Sequence, residues 1–526
     1  MKIELLDSTL RDGAQAQNIS FSVHDKLKLM QCMDSFGIDY IEAGNPASNP
    51  KDEEFFREAA KIQLKNSKLV AFGSTRRKNT AVEDDTALQT LLDSGAEYIS
   101  VFGKSWDFHV ENILETTLEE NLSMIFDTIS FLTAHGKKVF FDAEHFFDGL
   151  NANREYALEA IKTAEKAGAV LITLCDTNGG AFPEQIAKGV EAAIDAVSCK
   201  VGIHCHNDCG LAVANTMSAV KAGAVHIQGT FIGVGERCGN ANLSTLIGNL
   251  QVKGDYELVP ENSIKLLTDT AYYFAEVSNI KLLNFLPYVG GAAFAHKGGM
   301  HADGVMKDRR SFEHINPDDI GNRRSFVLSE LSGRTSLLSK LKTFDESLEK
   351  NSEVTNNIIE KIKDLEHGGY LFEAANASFE LLVLKELGKF KPYFEIDDFN
   401  IVVSQEVGKK ENLANAMIKV KVGERFEITA DEGRGPVNAI DNALRKALEV
   451  FYPVLSRMHL VDYKVRVIDT KDSTAAVTRV LIESTDGKRS WTTVGVSEDI
   501  INASMTALID SLEYMLHMCS VYNYMK

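Results

Sequence analysis

Eight short apolar runs, rich in β-branched residues, recur between residues 3 and 230, and amphipathic helical patterns separate them. Runs of this kind, bounded by Gly, Asp or Asn, are typical of parallel strands that are buried on both faces. Eight evenly spaced strand–helix units favour closure into a (β/α)8 TIM barrel over an open, doubly wound sheet. The predicted strands cover residues 3–7, 38–43, 68–73, 97–103, 137–145, 170–177, 200–206 and 225–230.

The pattern changes after about residue 250, so this α/β chain contains more than a barrel. Residues 255–395 are mostly helical in pattern and predict an accessory helical subdomain. Residues 416–451 and 476–516 both have the pattern strand, turn, strand, small-residue loop, helix, which indicates a pseudo-symmetric α+β module. We expect a catalytic barrel at 1–280, a helical accessory subdomain at 281–395 and a C-terminal regulatory domain at 396–526.

Charge and cysteine usage narrow the classes of function. The chain has 75 acidic and 56 basic residues, a net charge of −19, which disfavours a nucleic-acid or anionic-membrane binder. Its seven cysteines include no CxxC pair, so neither a disulfide framework nor a zinc ribbon is expected. No apolar run approaches the roughly 18 residues of a membrane-spanning helix, and no signal peptide is recognisable, which predicts a cytoplasmic protein.

The ends of the predicted strands carry a candidate metal site. His204 and His206 end the seventh strand, where residues two apart point to the same face. Two imidazoles on one inward face can bind one divalent cation, to which Asp12 would add a carboxylate oxygen and Asn240 a neutral oxygen. This donor set suits Mg²⁺, Mn²⁺, Fe²⁺, Co²⁺ or Zn²⁺. The alternative is a pair of hydrogen-bonded histidines in the barrel wall.

Two further strand ends carry candidate catalytic groups. Arg11 follows the first strand and would face a substrate carbonyl or carboxylate as a fixed cation. Its alternative role is an ion pair inside the barrel, with Glu42 or Asp7. Glu144 ends the fifth strand and is either a general acid or base, or a group that orients one, or a solvated strand end.

Two glycine-rich segments outside the predicted barrel are also candidates. His301 lies in segment 294–304, where it is either a general base delivered from the accessory subdomain or a surface histidine in a turn. Segment 431–448 places a small-residue loop before a helix, in the manner of an anion site at a helix N-terminus. A small-ligand site or a subunit contact fits segment 431–448 equally well.

Four separated motifs identify a family resemblance: LDSTLRDGAQ (6–15), GIHCHNDCGLAVAN (202–215), GVGERCGNANL (233–243) and HKGGMHADG (296–304). In this order they resemble the isopropylmalate, homocitrate and citramalate synthase family of metal-dependent Claisen-condensing barrels. The resemblance covers nearly the whole chain. The segments most similar to the citramalate synthase branch are 42–56, 101–110, 140–149 and 377–385.

The resemblance implies an acyltransferase that condenses acetyl-CoA with a 2-oxoacid. Pyruvate is the expected oxoacid for the citramalate branch. The alternatives are 2-oxoisovalerate, if the product is isopropylmalate, or the 2-oxoacid of another condensing enzyme of the family. Mn²⁺ or Mg²⁺ is the expected cofactor, with Co²⁺ or Zn²⁺ also compatible. The family's roles fall on Asp12, His204, His206 and Asn240 as metal ligands, Arg11 as the oxoacid-polarising arginine, Glu144 as the catalytic glutamate, Thr177 as the oxoacid-binding threonine and His301 as the catalytic histidine.

The resemblance also extends to the C-terminal module, through RGPVNAIDNAL (434–444) and VGVSEDIINAS (494–504). In the family this domain binds a branched-chain amino acid and helps to form a dimer. We therefore expect a homodimer inhibited by isoleucine, or by leucine if the enzyme makes isopropylmalate. The expected inhibitor loops contain Gly433, Gly435, Pro436 and Gly495.

Three other functions fit these residues less well. A metal-dependent lyase would catalyse the reverse cleavage, but it would need neither the C-terminal module nor the HKGGMHADG segment. A metal hydrolase barrel would usually carry its HxH pair on the first strand, where this chain has Arg11 and Asp12. A ligand sensor built on an inactive barrel would not require all the candidate catalytic residues together.

Overall fold

The computed structural model describes residues 1–297, 299–326, 341, 344–345, 348, 352–404, 413–468, 476–487 and 489–521. The chain divides into two compact units. The barrel unit comprises Met1–Phe294 and Glu313–Arg324, and the C-terminal unit comprises Ala295–Phe312 and Ser325–Lys526. None of the described helices combines the length and the apolar character needed to cross a bilayer.

Eight parallel strands close the barrel unit, in the order β1 to β8, and β8 pairs with β1. The predicted TIM barrel is therefore confirmed, and every predicted strand lies within two residues of its observed bounds. These bounds are β1 Glu4–Asp7, β2 Tyr40–Glu42, β3 Lys68–Ser74, β4 Tyr98–Lys104, β5 Lys138–Glu144, β6 Leu171–Asp176, β7 Lys200–Cys205 and β8 His226–Gly229.

Helices connect the strands and are delimited by local sequence signals. The first begins after Ser22, which forms a reciprocal capping box with Asp25, and it ends at Gly37 in the left-handed conformation (φ 92°). The helices of the barrel unit are α1 Val23–Phe36, α2 Pro50–Ala59, α3 Thr86–Asp93, α4 Asp107–Asn112, α5 Leu118–Ala134, α6 Phe146–Ala152, α7 Arg154–Lys166, α8 Pro183–Ala196, α9 Ala212–Lys221, α10 Leu243–Ile247, α11 Glu261–Ile264 and α12 Leu267–Val277.

The inside of the barrel changes from apolar to polar along the strands. Leu6, Val70, Phe140 and Leu171 form a small buried cluster of their own, separate from the large core that the strands share with the helices. Because residues two apart on a strand face the same side, Phe140 is followed on that side by Asp142 and Leu171 by Thr173. This change creates a polar end of the barrel at the C-terminal ends of the strands.

The segment after the barrel is shared between the two units. Asn322 donates hydrogen bonds to the carbonyl oxygens of Tyr288 (2.6 Å) and Gly290 (3.1 Å), all within the barrel unit. The predicted boundaries near 280 and 395 stay a prediction. The elements of the C-terminal unit before the repeats are β9 Ala295–His296, α13 Gly299–Lys307, β10 Ser325–Phe326, α14 Glu353–His367 and α15 Asn376–Glu386.

Two repeats of three antiparallel strands and a helix form the rest of the C-terminal unit. The internal repeat predicted from the sequence is present, and each copy has one more strand, β11 or β14, than the pattern indicated. These strands are exposed at a sheet edge, where no clean apolar alternation is required. The bounds are β11 Glu395–Ser404, β12 Leu413–Val422, β13 Arg425–Gly433 and α16 Pro436–Glu449, then β14 His459–Val467, β15 Thr478–Thr485, β16 Ser490–Ser497 and α17 Ile500–Val521.

Gly433 and Gly495 occupy similar places in the two repeats, where the last strand meets its helix. A Cβ atom at Gly433 would collide with the backbone of Ala439, and one at Gly495 with the carbonyl oxygen of Ala503. Both positions therefore require glycine for packing, because a side chain there would prevent the close approach of the helix to the sheet. Gly435 has open space around it and precedes Pro436, which is the first residue of α16.

Candidate active site

The polar end of the barrel contains a cavity of about 360 Å³. Strand ends supply most of its walls, as the TIM-barrel topology requires. The cavity also includes residues that the sequence analysis did not select, among them Phe72 on β3 and Asn45 after β2. The candidate residues that it brings together are Arg11, Asp12, Glu144, Thr177, His204 and His206.

Asp12, His204 and His206 lie close enough to share one cation. The Asp12 Oδ2 atom is 3.4 Å from Nε2 of His204 and 3.9 Å from Nε2 of His206, and the two Nε2 atoms are 3.3 Å apart. All three side chains are buried. Within the part of the chain that the structure describes, no other His, Cys, Asp and Glu side chains form a cluster with this spacing.

Unpartnered atoms around this cluster fit a bound cation. The buried Oδ1 atoms of Asp12 and Asn240 have no hydrogen-bond partner among the described residues. Buried polar atoms of this kind are costly unless a ligand or water satisfies them. Asn240 forms a single antiparallel bridge with His206, so the fourth predicted ligand lies beside the third.

The charge states of the cluster are set by burial and by the charges within it: burial opposes the charged form of His204, but Asp12 outweighs it and raises the His204 pKa. Burial and the neighbouring His204 lower the pKa of His206 to about 4, which keeps its imidazole in the neutral, ligating form. Burial opposes ionisation of Asp12, but Arg11 and the hydrogen bond with His204 outweigh it and hold the Asp12 pKa well below its usual value. The cluster therefore offers two imidazole nitrogens and one carboxylate, a donor set typical of divalent metals.

Arg11 is held by carboxylates on two sides. Its Nε donates to Oε2 of Glu42 at 2.7 Å, and its Nη1 lies 3.3 Å from Oδ2 of Asp12. The guanidinium carbon lies 3.9 Å from the centre of the Phe72 ring, within cation–π range. The ion pair with Glu42 is thus present, and Arg11 lines the cavity at the same time.

Glu144 and Thr177 occupy adjacent strand ends in the cavity wall. Oε2 of Glu144 accepts a hydrogen bond from Nζ of Lys104, the last residue of β4. The next residue, His145, has a left-handed backbone (φ 57°), and its N–H donates to Oγ1 of Thr177 at 2.9 Å. The Thr177 hydroxyl already accepts this bond, so its own proton remains to be donated to a substrate oxygen.

Gln228 is a buried polar residue of β8 that the sequence analysis missed. Its Nε2 lies 3.0 Å from both Oδ1 of Asp142 and Oγ1 of Thr173, and its Oε1 lies 3.0 Å from Nδ1 of His204. Because the amide must donate to Asp142, its oxygen accepts from Nδ1–H of His204. Nε2 of His204, which faces Asp12, is then the nitrogen left to ligate a cation. A glutamine inside an apolar strand was the only available sequence signal.

His301 belongs to the C-terminal unit, whereas the cavity belongs to the barrel unit. It lies exposed on α13, and its ring stacks on Phe312 with the ring centres 4.0 Å apart. The part that His301 takes in the reaction stays a prediction, and Gly298 of the same motif lies outside the described residues.

Three family models match successive parts of the chain. Residues 2–280 match the HMGL-like family. Residues 288–369 match the homocitrate synthase post-HMGL domain-like family, and residues 373–516 match the LeuA allosteric (dimerisation) domain.

Proteins of similar sequence match over nearly the full length. The (R)-citramalate synthase of Aquifex aeolicus is 48% identical over 516 residues, which is 98% of this chain and 98% of that protein. The (R)-citramalate synthase of Geobacter sulfurreducens is 46% identical over 515 residues, 98% of each chain. A probable 2-isopropylmalate synthase of Methanopyrus kandleri is 30% identical over 510 residues, 97% of each chain.

Proposed function

Because the chain belongs to the HMGL-like family and carries homocitrate synthase-like and LeuA-type domains after its barrel, we propose that it is an (R)-citramalate synthase. It joins acetyl-CoA, pyruvate and water to give citramalate and CoA. The convergence of Asp12, His204 and His206 beside Arg11 is the observation that carries the proposal. Five relatives of that name are 44–48% identical over at least 97% of this chain, which favours pyruvate over 2-oxoisovalerate.

The metal site is the first part of this proposal. Asp12, His204, His206 and Asn240 would hold a divalent cation, Mn²⁺ or Mg²⁺, through two nitrogens and two oxygens. When bound, the cation supplies Lewis-acid polarisation of the oxoacid's ketone. The unpartnered oxygens of Asp12 and Asn240 support this assignment, because they are buried and face no other donor among the described residues.

Arg11 and Thr177 would bind and orient the oxoacid. Burial opposes the charge on Arg11, but Glu42 and Asp12 raise its pKa above the usual value, so the guanidinium stays positive. A fixed positive charge at the cavity wall stabilises the negative charge that develops on the ketone oxygen during attack. The Thr177 hydroxyl would donate a hydrogen bond to the oxoacid carboxylate.

A base must remove a methyl proton from acetyl-CoA before the carbon–carbon bond forms. We assign this step to His301, with Glu144 as the group that positions it. The resulting enolate carbon attacks the ketone carbon of pyruvate. Water then cleaves the thioester and releases CoA, which makes the overall condensation effectively irreversible.

The C-terminal unit would join two copies of the chain and bind the inhibitor. The match to a LeuA allosteric (dimerisation) domain supports both roles. We propose isoleucine as the inhibitor, bound near the loops of Gly433, Gly435, Pro436 and Gly495, because citramalate formation is a first step towards isoleucine. Leucine is the alternative if the product is isopropylmalate.

Release of free CoA, followed with a thiol reagent, tests the proposal. Acetyl-CoA alone should give little CoA, and pyruvate should start rapid release. Among 2-oxoacids, pyruvate should have a kcat/KM about 10-fold or more above that of 2-oxoisovalerate, since each extra methylene changes binding by 10–200-fold. Preference for 2-oxoisovalerate would make the enzyme an isopropylmalate synthase, and no release with any oxoacid would refute a condensing function.

A further inference from the structure

A second and larger cavity, of about 720 Å³, lies in the barrel unit next to the active-site cavity. We call it the basic cavity. Its volume is within the range of small-molecule and cofactor sites. It is formed by Ser74 at the end of β3, residues 75–78 and Thr80 after it, residues 102–104 at the end of β4, residues 113–115 and Met124.

Positive charge is concentrated in the basic cavity of a chain whose net charge is −19. Four of its lining residues are basic, and Glu115 is the acidic one. Arg76 is neutralised by Glu120 at 2.7 Å and by Asp127 at 2.8 Å. Lys104 is paired with Glu144 of the active-site cavity.

The two remaining cations, Arg77 and Lys78, face no carboxylate among the described residues. Lys78 donates to the carbonyl oxygens of Leu114 at 2.7 Å and of Glu115 at 3.0 Å, which leaves its charge uncompensated. The guanidinium of Arg77 forms no hydrogen bond or ion pair within the described chain, and both residues are exposed. Two such charges at the mouth of a cavity attract an anionic ligand.

The basic cavity also has an apolar wall. Ile113, Leu114, Met124 and Phe102 line it, and Ile113 is 57% exposed. A ligand that fits this cavity would therefore carry anionic groups for Arg77 and Lys78, joined to an apolar or aromatic group that covers the apolar wall. An inorganic anion alone would leave the apolar wall uncovered.

The basic cavity adjoins the place where the chemistry occurs. Phe102 lines both cavities, and Lys104, two residues further along β4, donates to Glu144 in the active-site cavity. A long ligand can therefore enter through the basic cavity and pass Phe102 with its reactive end towards Glu144.

We propose that the basic cavity binds the phosphorylated nucleotide end of CoA, with Arg77 and Lys78 on its phosphates and the apolar wall against its adenine or pantetheine arm. This inference rests on the proposed function, in which acetyl-CoA is a substrate. The remaining part of the molecule, the thioester, then reaches the active-site cavity past Phe102.

Arg77 is a suitable residue to substitute, because the hydrogen bonds that fix the backbone around it do not involve its side chain. The N–H of Arg77 donates to Oδ2 of Asp85 at 2.9 Å, and the N–H of Arg76 donates to Oγ1 of Thr128 at 2.8 Å. Substitution of the Arg77 side chain leaves both bonds in place.

The experiment compares wild type with Arg77→Gln and Arg77→Glu. The KM for acetyl-CoA should rise about 10-fold or more in Arg77→Glu and less in Arg77→Gln, the range expected for loss of a charged contact to phosphate. The KM for pyruvate and kcat should change less than about twofold. Acetyl-pantetheine has no nucleotide, so its kcat/KM should be the same in all three proteins.

Lys162→Glu is the matched control. Lys162 is exposed on α7 and lines neither cavity, so this substitution makes the same change of charge away from both of them. It should leave the KM for acetyl-CoA unchanged. An unchanged KM for acetyl-CoA in Arg77→Glu, or an equal loss with acetyl-pantetheine, would overturn the assignment. These outcomes differ from failure of the proposed function, in which wild type itself would release no CoA on addition of pyruvate. Calorimetry with CoA gives a readout without turnover, and CoA should bind Arg77→Glu at least about 10-fold more weakly than wild type.

Discussion

The barrel unit and the C-terminal unit differ in whether their buried polar side chains have hydrogen-bond partners. In the barrel unit, buried atoms of Asp12, Glu42, His206 and Asn240 have no hydrogen-bond partner among the described residues. In the described part of the C-terminal unit, no buried side-chain atom is left in this condition. Trp491, for example, donates to Ser511 at 2.9 Å, and Ser511 donates to Ser484 at 2.8 Å.

Both units expose large apolar side chains, which lie on helices and connecting segments in the barrel unit but mostly on strands in the C-terminal repeats. The strands of the C-terminal repeats expose large apolar side chains, and in the first repeat these include Val402 on β11, Met417 on β12 and Ile428 on β13, which lie on one face of the sheet. Such exposure on neighbouring strands is typical of a surface that another chain covers. The barrel unit thus has buried polar atoms without partners at the end of its strands, whereas the described part of the C-terminal unit satisfies its buried polar atoms internally and exposes apolar side chains on its strands.

Removal of the His204 and His206 imidazoles should abolish metal binding and catalysis by the barrel unit. The double substitution His204→Ala and His206→Ala should lower kcat/KM by at least about 10³-fold, because the metal loses two of its ligands. Calorimetry should detect no Mn²⁺ binding, and Mn²⁺ should no longer raise the melting temperature.

Cys205→Ala is the matched control for this prediction. Cys205 lies between the two histidines on β7, is equally buried, and points to the other face of the strand. It should retain metal binding and activity. Activity close to wild type in the double histidine variant would remove the metal assignment altogether.

A charge on the exposed apolar face of the repeats should weaken the association of two copies of the chain. Ile428 is 59% exposed and pairs across the sheet with Lys419, so Ile428→Lys adds a like charge. Because a symmetric dimer contains each substitution twice, the dimer dissociation constant should rise about 30-fold or more. Analytical ultracentrifugation over a concentration series measures this change.

Leu266→Lys provides the control in the barrel unit, where the side chain is 50% exposed. It should leave the association state unchanged. A wild-type chain that is monomeric at every concentration, or an Ile428→Lys variant that associates as wild type does, would contradict the assignment of this face.

Gln228 allows a finer test of the barrel. Gln228→Leu removes the acceptor for Nδ1–H of His204, so the ligating nitrogen is no longer fixed towards Asp12. Affinity for Mn²⁺ should fall about 10–100-fold, the range for loss of a group that orients a metal ligand. Gln228→Glu keeps an acceptor oxygen and should bind Mn²⁺ more tightly than Gln228→Leu. Equal affinity of wild type and Gln228→Leu would show that His204 needs no such support.

The sequence predicted the barrel and most of its site because both depend on local patterns. Eight apolar runs define the strands, and Arg11, Asp12, Glu144 and His204 stand where those runs end. Chain position alone places such residues at one end of a closed barrel.

Residues whose role depends on long-range register were not predictable in this way. Gln228 and Lys104 lie within strands, and each acts through a residue on a neighbouring strand. The basic cavity likewise joins loops that are distant in the chain, and no motif marks it. Strands β11 and β14 were missed because exposed edge strands do not need the alternation that identifies a half-buried strand.

The C-terminal unit holds several carboxyl groups that burial makes costly to ionise, and Glu513 is one that has no cation within ion-pair distance among the described residues. Glu513 lies on α17 and is 3% exposed. Burial raises its pKa to about 7 from 4.5, although the N–H of Tyr393 donates to both of its oxygens at 3.1 Å. The two oxygens are therefore satisfied, and Lys385 compensates the charge only in part.

This raised pKa predicts the pH dependence of the C-terminal unit. A carboxyl group with a higher pKa in the folded state binds its proton more tightly there, so its contribution is most favourable below about pH 4.5 and is lost as the pH rises through about 7. Glu513→Gln removes the charge and keeps an acceptor for Tyr393. At pH 8 it should stabilise the unit by about 1–2 kcal/mol, a rise of a few degrees in melting temperature, and the gain should vanish near pH 4.5. The chain has two tryptophans, so Trp106→Phe leaves Trp491 as a fluorescent reporter of this unit alone. A gain that is equal at both pH values would mean that Glu513→Gln acts through packing and not through the charge.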